Sequence, residues 1–310
     1  MRILIAGATG AIGRPLVRCL KQNGHAAYAL ARSSESSRVV AAMGAEPLIA
    51  DALDAASVKA AVARVRPDAI INELTSLPRH YTAEEMKAAA ERDHKVRSEG
   101  DANLLMALRN AGVRRYLLQS SGFWYARGAG LADENERFAF DASPAVAAGA
   151  RTYAELEAAA SQTEGIEFVS LRYGFFYGPG TWYRREGDMG EQVRQQQVHV
   201  IGDGQGVWSF VHIDDAAAAT AAALECAPGA YNVVDSDPTA QSLWLPAFAL
   251  AVGAPAPPCM TEEEALRTGG PDKVYYATRL RGASNEKARL ELNFQSRPLE
   301  WLSPTQPNRK

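Results

Sequence analysis

The sequence has few cysteines and no long hydrophobic run. Its three cysteines, Cys19, Cys226 and Cys259, lie far apart and form no CxxC pair, so they indicate neither a disulfide framework nor a structural zinc site. No apolar run approaches the roughly 20 residues that a membrane-spanning helix needs, and a first strand that begins at residue 3 leaves no room for a cleaved signal peptide. We therefore expect a cytoplasmic protein with no metal site and no membrane partner.

An excess of positive charge is also absent. The 310 residues carry a net charge of -3, and 47% are hydrophobic and 22% charged, which is ordinary for a soluble enzyme. This balance gives no electrostatic footprint for nucleic acid. A small-molecule substrate is the expected partner, and a homodimer remains open.

A hydrophobic strand runs directly into a glycine-rich turn at the N-terminus. Residues 1–6 predict a buried strand, and residues 14–23 predict the helix that follows. Gly7 permits a tight turn, Gly10 lets a pyrophosphate approach the backbone, and Gly13 lets the helix pack closely on the strand. The helix N-terminus then faces the anion. The residues predicted to form this cofactor cradle are Gly7, Thr9, Gly10, Ala11, Ile12 and Gly13.

The end of the second predicted strand indicates which dinucleotide binds. An acidic residue there accepts the ribose 2′-OH of NAD, whereas an arginine accommodates the 2′-phosphate of NADP. The sequence has Arg32 and Ser33 at this point, and Arg14 follows the third glycine. NADP is therefore favoured and NAD is less likely, although a solvated surface arginine is the alternative for either position.

Further cofactor contacts are predicted at the ends of later strands. Asp51, beside Ala52, is a candidate acceptor for the adenine amino group or, alternatively, the N-cap of the next helix. Asn72 ends the fourth predicted strand. Arg151 could hold the ribose or the phosphates, but it cannot serve as a proton shuttle.

Short apolar runs alternate with helical patterns through the first half of the chain. The runs are residues 3–6, 26–31, 46–50, 69–72, 116–120 and 168–172. This alternation predicts βαβ units and a parallel sheet. The sequence therefore predicts an α/β Rossmann fold, with a doubly wound parallel sheet and a smaller C-terminal substrate-binding lobe. The predicted Rossmann domain is residues 1–172 plus about 209–236, including a returning strand at 230–234, and the substrate lobe is 173–208 plus 237–310.

Several short motifs support this organisation. They are GATGAIG at 7–13, NLL at 103–105, QSS at 119–121, LRY at 171–173, YGPG at 177–180, GDG at 202–204, FVHIDD at 210–215 and GASNEKA at 282–288. Together they resemble the extended short-chain dehydrogenase/reductase family, which includes NAD(P)-dependent epimerases and dehydratases. The resemblance implies a Ser or Thr that polarises the substrate oxygen, a tyrosine that moves the proton, and a lysine four residues later that holds the nicotinamide ribose. Ser121 matches the first of these positions, with Ser120 as the alternative.

The helix after the fifth predicted strand departs from that family pattern. Tyr153 is the candidate tyrosine, but Glu157 stands where the lysine should be, and a carboxylate there would raise the tyrosine pKa further. Another register places Ala147 or Gly149 at the tyrosine position and Arg151 or Tyr153 near the lysine position. No register yields both residues. Ser121 and Tyr153 are therefore the catalytic candidates of an atypical member.

The predicted substrate side is aromatic. The resemblance implies an arginine and an asparagine that grip a sugar-nucleotide diphosphate, yet Trp208 and Phe175 occupy those positions. Their loss would remove charge-assisted bonds of roughly 1.5 to 3 kcal/mol each. A fairly apolar substrate fits better, although each aromatic could equally pack the core. The predicted wall comprises Phe123, Trp124, Phe175, Phe176, Trp182 and Trp208.

The sequence thus favours an NADP-dependent oxidoreductase acting on the carbonyl or alcohol of a small metabolite. The alternatives are an epimerase or dehydratase with bound NAD(P), and a non-catalytic NADP(H) sensor. The charged stretch 84–97 is interpreted as mostly a solvated helix face. Arg97 could reach the cofactor side, but it is not counted among the site residues.

Overall fold

The computed structural model describes residues 1–302 and contains thirteen strands and ten helices over that range. The strands are β1 (Arg2–Ala6), β2 (Ala26–Ala31), β3 (Glu46–Ile49), β4 (Ala69–Asn72), β5 (Arg115–Ser121), β6 (Glu167–Tyr173), β7 (Phe175–Tyr177), β8 (Val200–Ile201), β9 (Val207–Trp208), β10 (Phe210–His212), β11 (Gly229–Val233), β12 (Thr239–Ala240) and β13 (Cys259–Met260). The helices are α1 (Gly13–Gln22), α2 (Ser34–Met43), α3 (Ala55–Val65), α4 (Ala83–Ala111), α5 (Pro144–Ser161), α6 (Asp188–Arg194), α7 (Ile213–Ala222), α8 (Gln241–Ala251), α9 (Glu262–Thr278) and α10 (Glu286–Glu291).

Seven strands form a parallel central sheet in the order β11-β6-β5-β4-β1-β2-β3. The predicted doubly wound Rossmann sheet is therefore confirmed, including the returning strand β11, which pairs with β6. The strand order reverses between β1 and β4. In sheets of this kind the crevice outside the carboxyl ends of the strands, at this reversal, is where dinucleotides bind.

Helices cover both faces of the sheet because successive strand residues point to opposite sides. Ile3 and Ile5 of β1 pack with α1, α2 and α7, whereas Leu4 packs with α3, α4 and α5. The strands are consequently apolar throughout rather than alternating. This explains why short continuous apolar runs located them in the sequence.

The remaining small strands build a separate region rich in aromatic residues. β7 pairs with β10, β9 with β12, and β8 with β13, each as a two-stranded sheet. A core that includes Phe210, Trp244 and Phe248 joins β7, β10, α6, α8 and α9. The predicted domain boundaries stay a prediction, and residues 303–310 of the predicted lobe lie outside the described residues. No helix within 1–302 combines the length and apolarity that crossing a membrane requires.

Candidate active site

The predicted glycine cradle lies at the carboxyl end of β1, with Gly7 at φ 93°. A Cβ on Gly7 would overlap the carbonyl oxygen of Glu73 in the loop after β4, and one on Gly13 would lie 2.5 Å from backbone atoms of Ala8. The turn is closed by the amide of Gly10, which donates to the Gly7 carbonyl at 3.0 Å. Gly7 and Gly13 thus have no space for a side chain.

The first turn of α1 presents free backbone donors. Within residues 1–302 the N–H groups of Ala11, Ile12 and Gly13 have no hydrogen-bond acceptor, and no side chain caps this helix. Unpaired N–H groups at a helix N-terminus bind anions, particularly phosphates. The cradle therefore fits the diphosphate of a dinucleotide, with Thr9 and Gly10 exposed at its rim.

The residues predicted to meet the adenosine follow β2 and β3. Arg32 and Arg14 are both exposed, and neither side chain makes a hydrogen bond or ion pair in the described part of the chain. Ser33 caps α2, because its Oγ accepts the Ser36 amide at 3.2 Å. Arg32 is therefore free to meet a phosphate, whereas the Ser33 hydroxyl already has a structural role.

The structure corrects one alternative for Asp51. The N-cap of α3 is Asp54, whose carboxylate accepts the Ala56 amide at 3.0 Å. Asp51 is exposed and accepts the Leu53 amide at 3.0 Å, and the neighbouring Ala52 is buried. Asp51 therefore makes a local turn and does not cap the helix. Its predicted adenine contact stays a prediction.

Asn72 lies at the end of β4 with its side chain below the crevice. Its amide nitrogen donates to Asp101 Oδ1 at 3.0 Å and to the hydroxyl of Tyr116 at 2.9 Å. Its amide oxygen accepts the Leu74 amide at 3.1 Å. Through these bonds the Asn72 side chain connects β4 to α4 and β5.

Ser120 and Ser121 end β5 and point to opposite faces of the sheet. The Ser120 hydroxyl donates to Glu157 on α5 at 2.6 Å. Ser121 is buried, and its Oγ has only a long contact of 3.5 Å from the Phe123 amide. Ser121 thus keeps a hydroxyl available and stays the better candidate of the two.

Tyr153 lies on α5 beside Arg97 of α4, whose Cζ is 5.0 Å from the centre of the tyrosine ring. No residue in the described range forms a hydrogen bond with its hydroxyl. Burial raises the pKa of Tyr153, the charge of Arg97 lowers it, and Asp93 and Glu73 raise it. Tyr153 is consequently a weak base at neutral pH.

The sequence attributed the raised pKa of Tyr153 to Glu157, and the structure gives a different cause. Glu157 binds Arg172 of β6 through two bonds, Nε to Oε1 at 2.9 Å and Nη2 to Oε2 at 2.6 Å. Ser120 and Ser170 also donate to Glu157, and Arg172 holds the pKa of this buried carboxyl low despite its burial. Glu157 therefore serves a structural ion pair that joins α5 to β6.

One turn before Tyr153, Gly149 faces the indole of Trp124, and a Cβ at Gly149 would overlap atoms Cζ3 and Cη2 of that ring. The indole Nε1 donates to the hydroxyl of Tyr276 at 3.0 Å, which fixes the ring in place. Arg151 is exposed on the same helix and donates to the Phe140 carbonyl at 3.1 Å. The Arg151 guanidinium is thus bound to the Phe140 carbonyl, and its predicted cofactor contact stays a prediction. Helix α5 contains no lysine.

Most of the predicted aromatic wall does assemble. The Phe175 ring stacks on Phe123 at 4.1 Å and contacts Trp208 at 4.3 Å, and Trp124 meets Phe123 edge to face at 5.1 Å. We call Phe123, Trp124, Phe175, Trp208 and Tyr276 the aromatic cluster. Trp182 stacks on Tyr81 nearby, at 4.6 Å.

Phe176 does not join the aromatic cluster. It lies between Phe175 and Tyr177 in β7, so its side chain points to the other face of that strand. There it packs against the main core, 5.2 Å from the ring of Tyr173. Its position corrects the expectation that six aromatics would line one wall.

Two charged residues at the site were missed. Glu73 follows β4 and is 3% exposed; Tyr173 donates to its Oε1 at 2.9 Å, while Oε2 has no partner within residues 1–302. Burial raises the pKa of Glu73 to about 8, opposed by the Tyr173 hydroxyl and by Arg97. Arg97 is 8% exposed, and its Nε donates to Asp93 at 2.7 Å.

The signal for Arg97 was present in the sequence. Residues 97, 101, 104 and 108 recur at helical spacing and all are buried in α4. A charged residue in that series predicts a buried charge rather than a solvated one. Glu73 carried a weaker signal, a carboxylate directly after an apolar strand.

Comparisons with known proteins agree with this fold. The model of the NAD dependent epimerase/dehydratase family matches residues 3–233. A 3-diazoavenalumate denitrifying reductase from a Streptomyces species is 38% identical over 308 residues, covering 97% of this chain and 98% of that protein. A 2-alkyl-3-oxoalkanoate reductase from Stenotrophomonas maltophilia is 28% identical, covering 91% and 86%. The structure of UDP-glucose 4-epimerase from Thermus thermophilus with NAD has a TM-score of 0.69 at 24% identity, covering 95% of this chain and 94% of that one.

Proposed function

The chain belongs to the NAD dependent epimerase/dehydratase family, and we propose that within it the protein is an NADPH-dependent reductase of a planar aromatic substrate bearing a diazo group. The reductase at 38% identity, which is named for a diazo compound and spans nearly the whole chain, supports this assignment. The observation that carries it is the packing of Trp124 on Gly149, because this contact leaves no room for a proton-donating tyrosine at that helix position.

When bound, the reduced nicotinamide supplies a hydride. A carbonyl that receives a hydride also needs a proton, which a positioned acid must deliver. An aryl diazonium ion needs none: with one hydride it yields the arene and N2, and atoms and charge balance. An active site without a tyrosine and lysine pair on α5 therefore suits a cationic acceptor better than a ketone.

The residues of this chain would then bind and orient the substrate. The cradle amides of Ala11, Ile12 and Gly13 hold the diphosphate, and Arg32 favours a 2′-phosphate. Phe123 and Trp124 are the partly exposed members of the aromatic cluster and offer an apolar face for a planar ring, whereas Phe175 and Trp208 are buried and pack behind them. Phe175 and Trp208 leave no cationic group there for a sugar-nucleotide diphosphate, which argues against an epimerase.

A carbonyl reductase is the second candidate. The relative named for a 3-oxoalkanoate supports it, and so does the free hydroxyl of Ser121, which could polarise a carbonyl oxygen. In that case the proton would come from Tyr153, whose hydroxyl is unpaired within the described residues, or from water.

The two candidates are separated by turnover with deuterated NADPH. An aryl diazonium carboxylate should consume one NADPH per N2 released, and the arene should carry one deuterium at the vacated carbon. The Ser121→Ala variant should catalyse this reaction with a kcat/KM within about threefold of the wild-type value. Two results together would overturn the diazo assignment in favour of the second candidate. They are a higher kcat/KM for a 3-oxo acid than for the diazonium compound, and a loss of about 100-fold in that kcat/KM in the Ser121→Ala variant.

A further inference from the structure

Two buried charged side chains meet at the carboxyl end of β4 with hydrogen-bonding capacity left over. Within residues 1–302 the fully buried Oε2 of Glu73 has no hydrogen-bond partner, and the Nη atoms of Arg97, which keep some solvent exposure, make no hydrogen bond either. Buried polar groups are nearly always paired, because an unpaired one costs free energy comparable to a lost hydrogen bond. Groups left unpaired next to a ligand crevice therefore indicate what the ligand provides.

The two side chains approach the crevice from opposite faces of the sheet. Glu73 reaches Tyr173, whose hydroxyl also contacts Thr220 of α7 at 2.6 Å. Arg97 comes from α4 on the other face and rests on the ring of Tyr153. The loop that carries Glu73 packs on α4 beside Arg97: the Leu74 side chain lies against Gly100, and the Ser76 amide donates to Asp93, the residue that binds Arg97. The charge of each side chain also shifts the pKa of the other. They flank the crevice on the β4 side of the strand-order reversal.

This half of the crevice lies beyond the diphosphate. The cradle at the end of β1 fixes the diphosphate, and Arg32 after β2 marks the adenosine side. The other half of a dinucleotide must then extend over β4 and β5, where Glu73, Arg97 and Ser121 lie. The first part of that half is the nicotinamide ribose.

The chemistry of the pair favours a sugar over an anion. A carboxylate or phosphate can bind Arg97, but it can bind Glu73 Oε2 only while that carboxyl, whose pKa is about 8, keeps its proton. A vicinal diol satisfies both, because each hydroxyl can donate to a carboxyl oxygen and accept from a guanidinium. A ribose is such a diol.

We propose that Glu73 and Arg97 together bind the vicinal hydroxyls of the nicotinamide ribose. This rests on the proposed dinucleotide function. Arg97 donates to the diol and Glu73 accepts from it, while Asp93 and the Tyr153 ring hold the guanidinium in position. Tyr153 is in this arrangement a positioning residue rather than a proton donor.

Three probes isolate the ribose contact: 2′-phosphoadenosine 5′-diphosphate, the same molecule with a terminal ribose, and NADP+. Arg97→Met should weaken the binding of the two ribose-containing probes by about tenfold or more, the usual worth of a charge-assisted hydrogen bond. The affinity of this variant for 2′-phosphoadenosine 5′-diphosphate should stay within twofold of the wild-type value. Arg109→Met, an exposed arginine on the same helix, is the matched control and should change none of the three.

Glu73 is tested with a conservative and a non-conservative variant. Glu73→Gln keeps a hydrogen-bonding oxygen and should bind all probes nearly as the wild type does. Glu73→Leu should lose affinity only for the ribose-containing probes. It should not lower the melting temperature, because it removes an unpaired buried oxygen and leaves Tyr173 its bond to Thr220.

Titration calorimetry measures the affinity of each variant for each probe and requires no turnover. Equal weakening of all three probes, or none, in the Arg97→Met and Glu73→Leu variants would overturn the ribose assignment while leaving dinucleotide binding intact. So would unchanged NADP+ affinity together with a raised substrate KM in a separate steady-state assay, which would assign Arg97 to the substrate. If the wild type bound none of the probes, the proposed function itself would fail.

Discussion

The indole ring of Trp124 lies in the space where a side chain on Gly149 would begin. The ring cannot easily move away, because its Nε1 donates to the hydroxyl of Tyr276 of α9 at 3.0 Å and the ring contacts Phe123 and Tyr153. A loop after β5, a helix turn of α5 and a helix of the aromatic region are thus locked together at the site.

This contact predicts that replacing Gly149 by alanine changes the stability in opposite directions with and without the Trp124 side chain. Gly149→Ala should destabilise the wild-type protein by about 1 to 3 kcal/mol, since the new methyl group overpacks against the ring. In a Trp124→Ala background the same change should stabilise the protein by about 0.5 to 1 kcal/mol, because alanine is the better helix former. Urea denaturation of the four proteins measures both effects. The same sign in both backgrounds would contradict the packing described here.

Restoring a lysine four residues after Tyr153 should not restore a catalytic pair. Glu157→Lys places a positive charge against Arg172 in a buried ion-pair site, and we expect a loss of about 3 to 5 kcal/mol in stability with no gain in carbonyl reduction. Glu155→Lys, on the exposed side of α5, is the control and should change stability by less than about 0.5 kcal/mol. An active and stable Glu157→Lys enzyme would refute this structural role.

The stability of the protein should depend on pH through Glu73. Its pKa is about 8 in the folded state and 4.5 ordinarily, so the folded state holds the proton more tightly. The stability is then fully present below pH 4.5 and falls as the pH rises to about 8, by on the order of 4 kcal/mol. Buried Asp101 and Asp235, each with a pKa raised to about 6, act in the same direction. The difference between wild type and Glu73→Gln, measured by urea denaturation from pH 5 to pH 9, isolates the Glu73 contribution, and parallel curves would contradict it.

Arg32 should set the preference between the two dinucleotides. Arg32→Ala is expected to raise the Kd for NADP+ by about tenfold to 100-fold and to change the Kd for NAD+ less than twofold, because only the former carries a 2′-phosphate. Arg38→Ala, an exposed arginine on the neighbouring helix, is the control. Fluorescence titration with both cofactors checks this. Similar losses for both cofactors would indicate that Arg32 acts on the diphosphate instead.

The sequence by itself determined the local features of this protein. The bounds of β2 and β4 follow from apolar runs of strand length, and the cradle follows from glycines at 7, 10 and 13, because both depend on the residues of one short segment. The end of α4 likewise depends on one residue, since Gly112 adopts the left-handed conformation that stops a helix.

Only the tertiary structure decided what those elements bring together at the site. Trp124 and Tyr276 are 152 residues apart, and Glu73 and Tyr173 are 100 apart, so no local pattern reports that they touch. The same holds for Glu157, which the sequence placed beside Tyr153 and which the fold commits to Arg172. Burial, hydrogen bonding and the interaction of charges all depend on distances in space. For residues far apart in the sequence, those distances are set only when the sheet and its helices pack together.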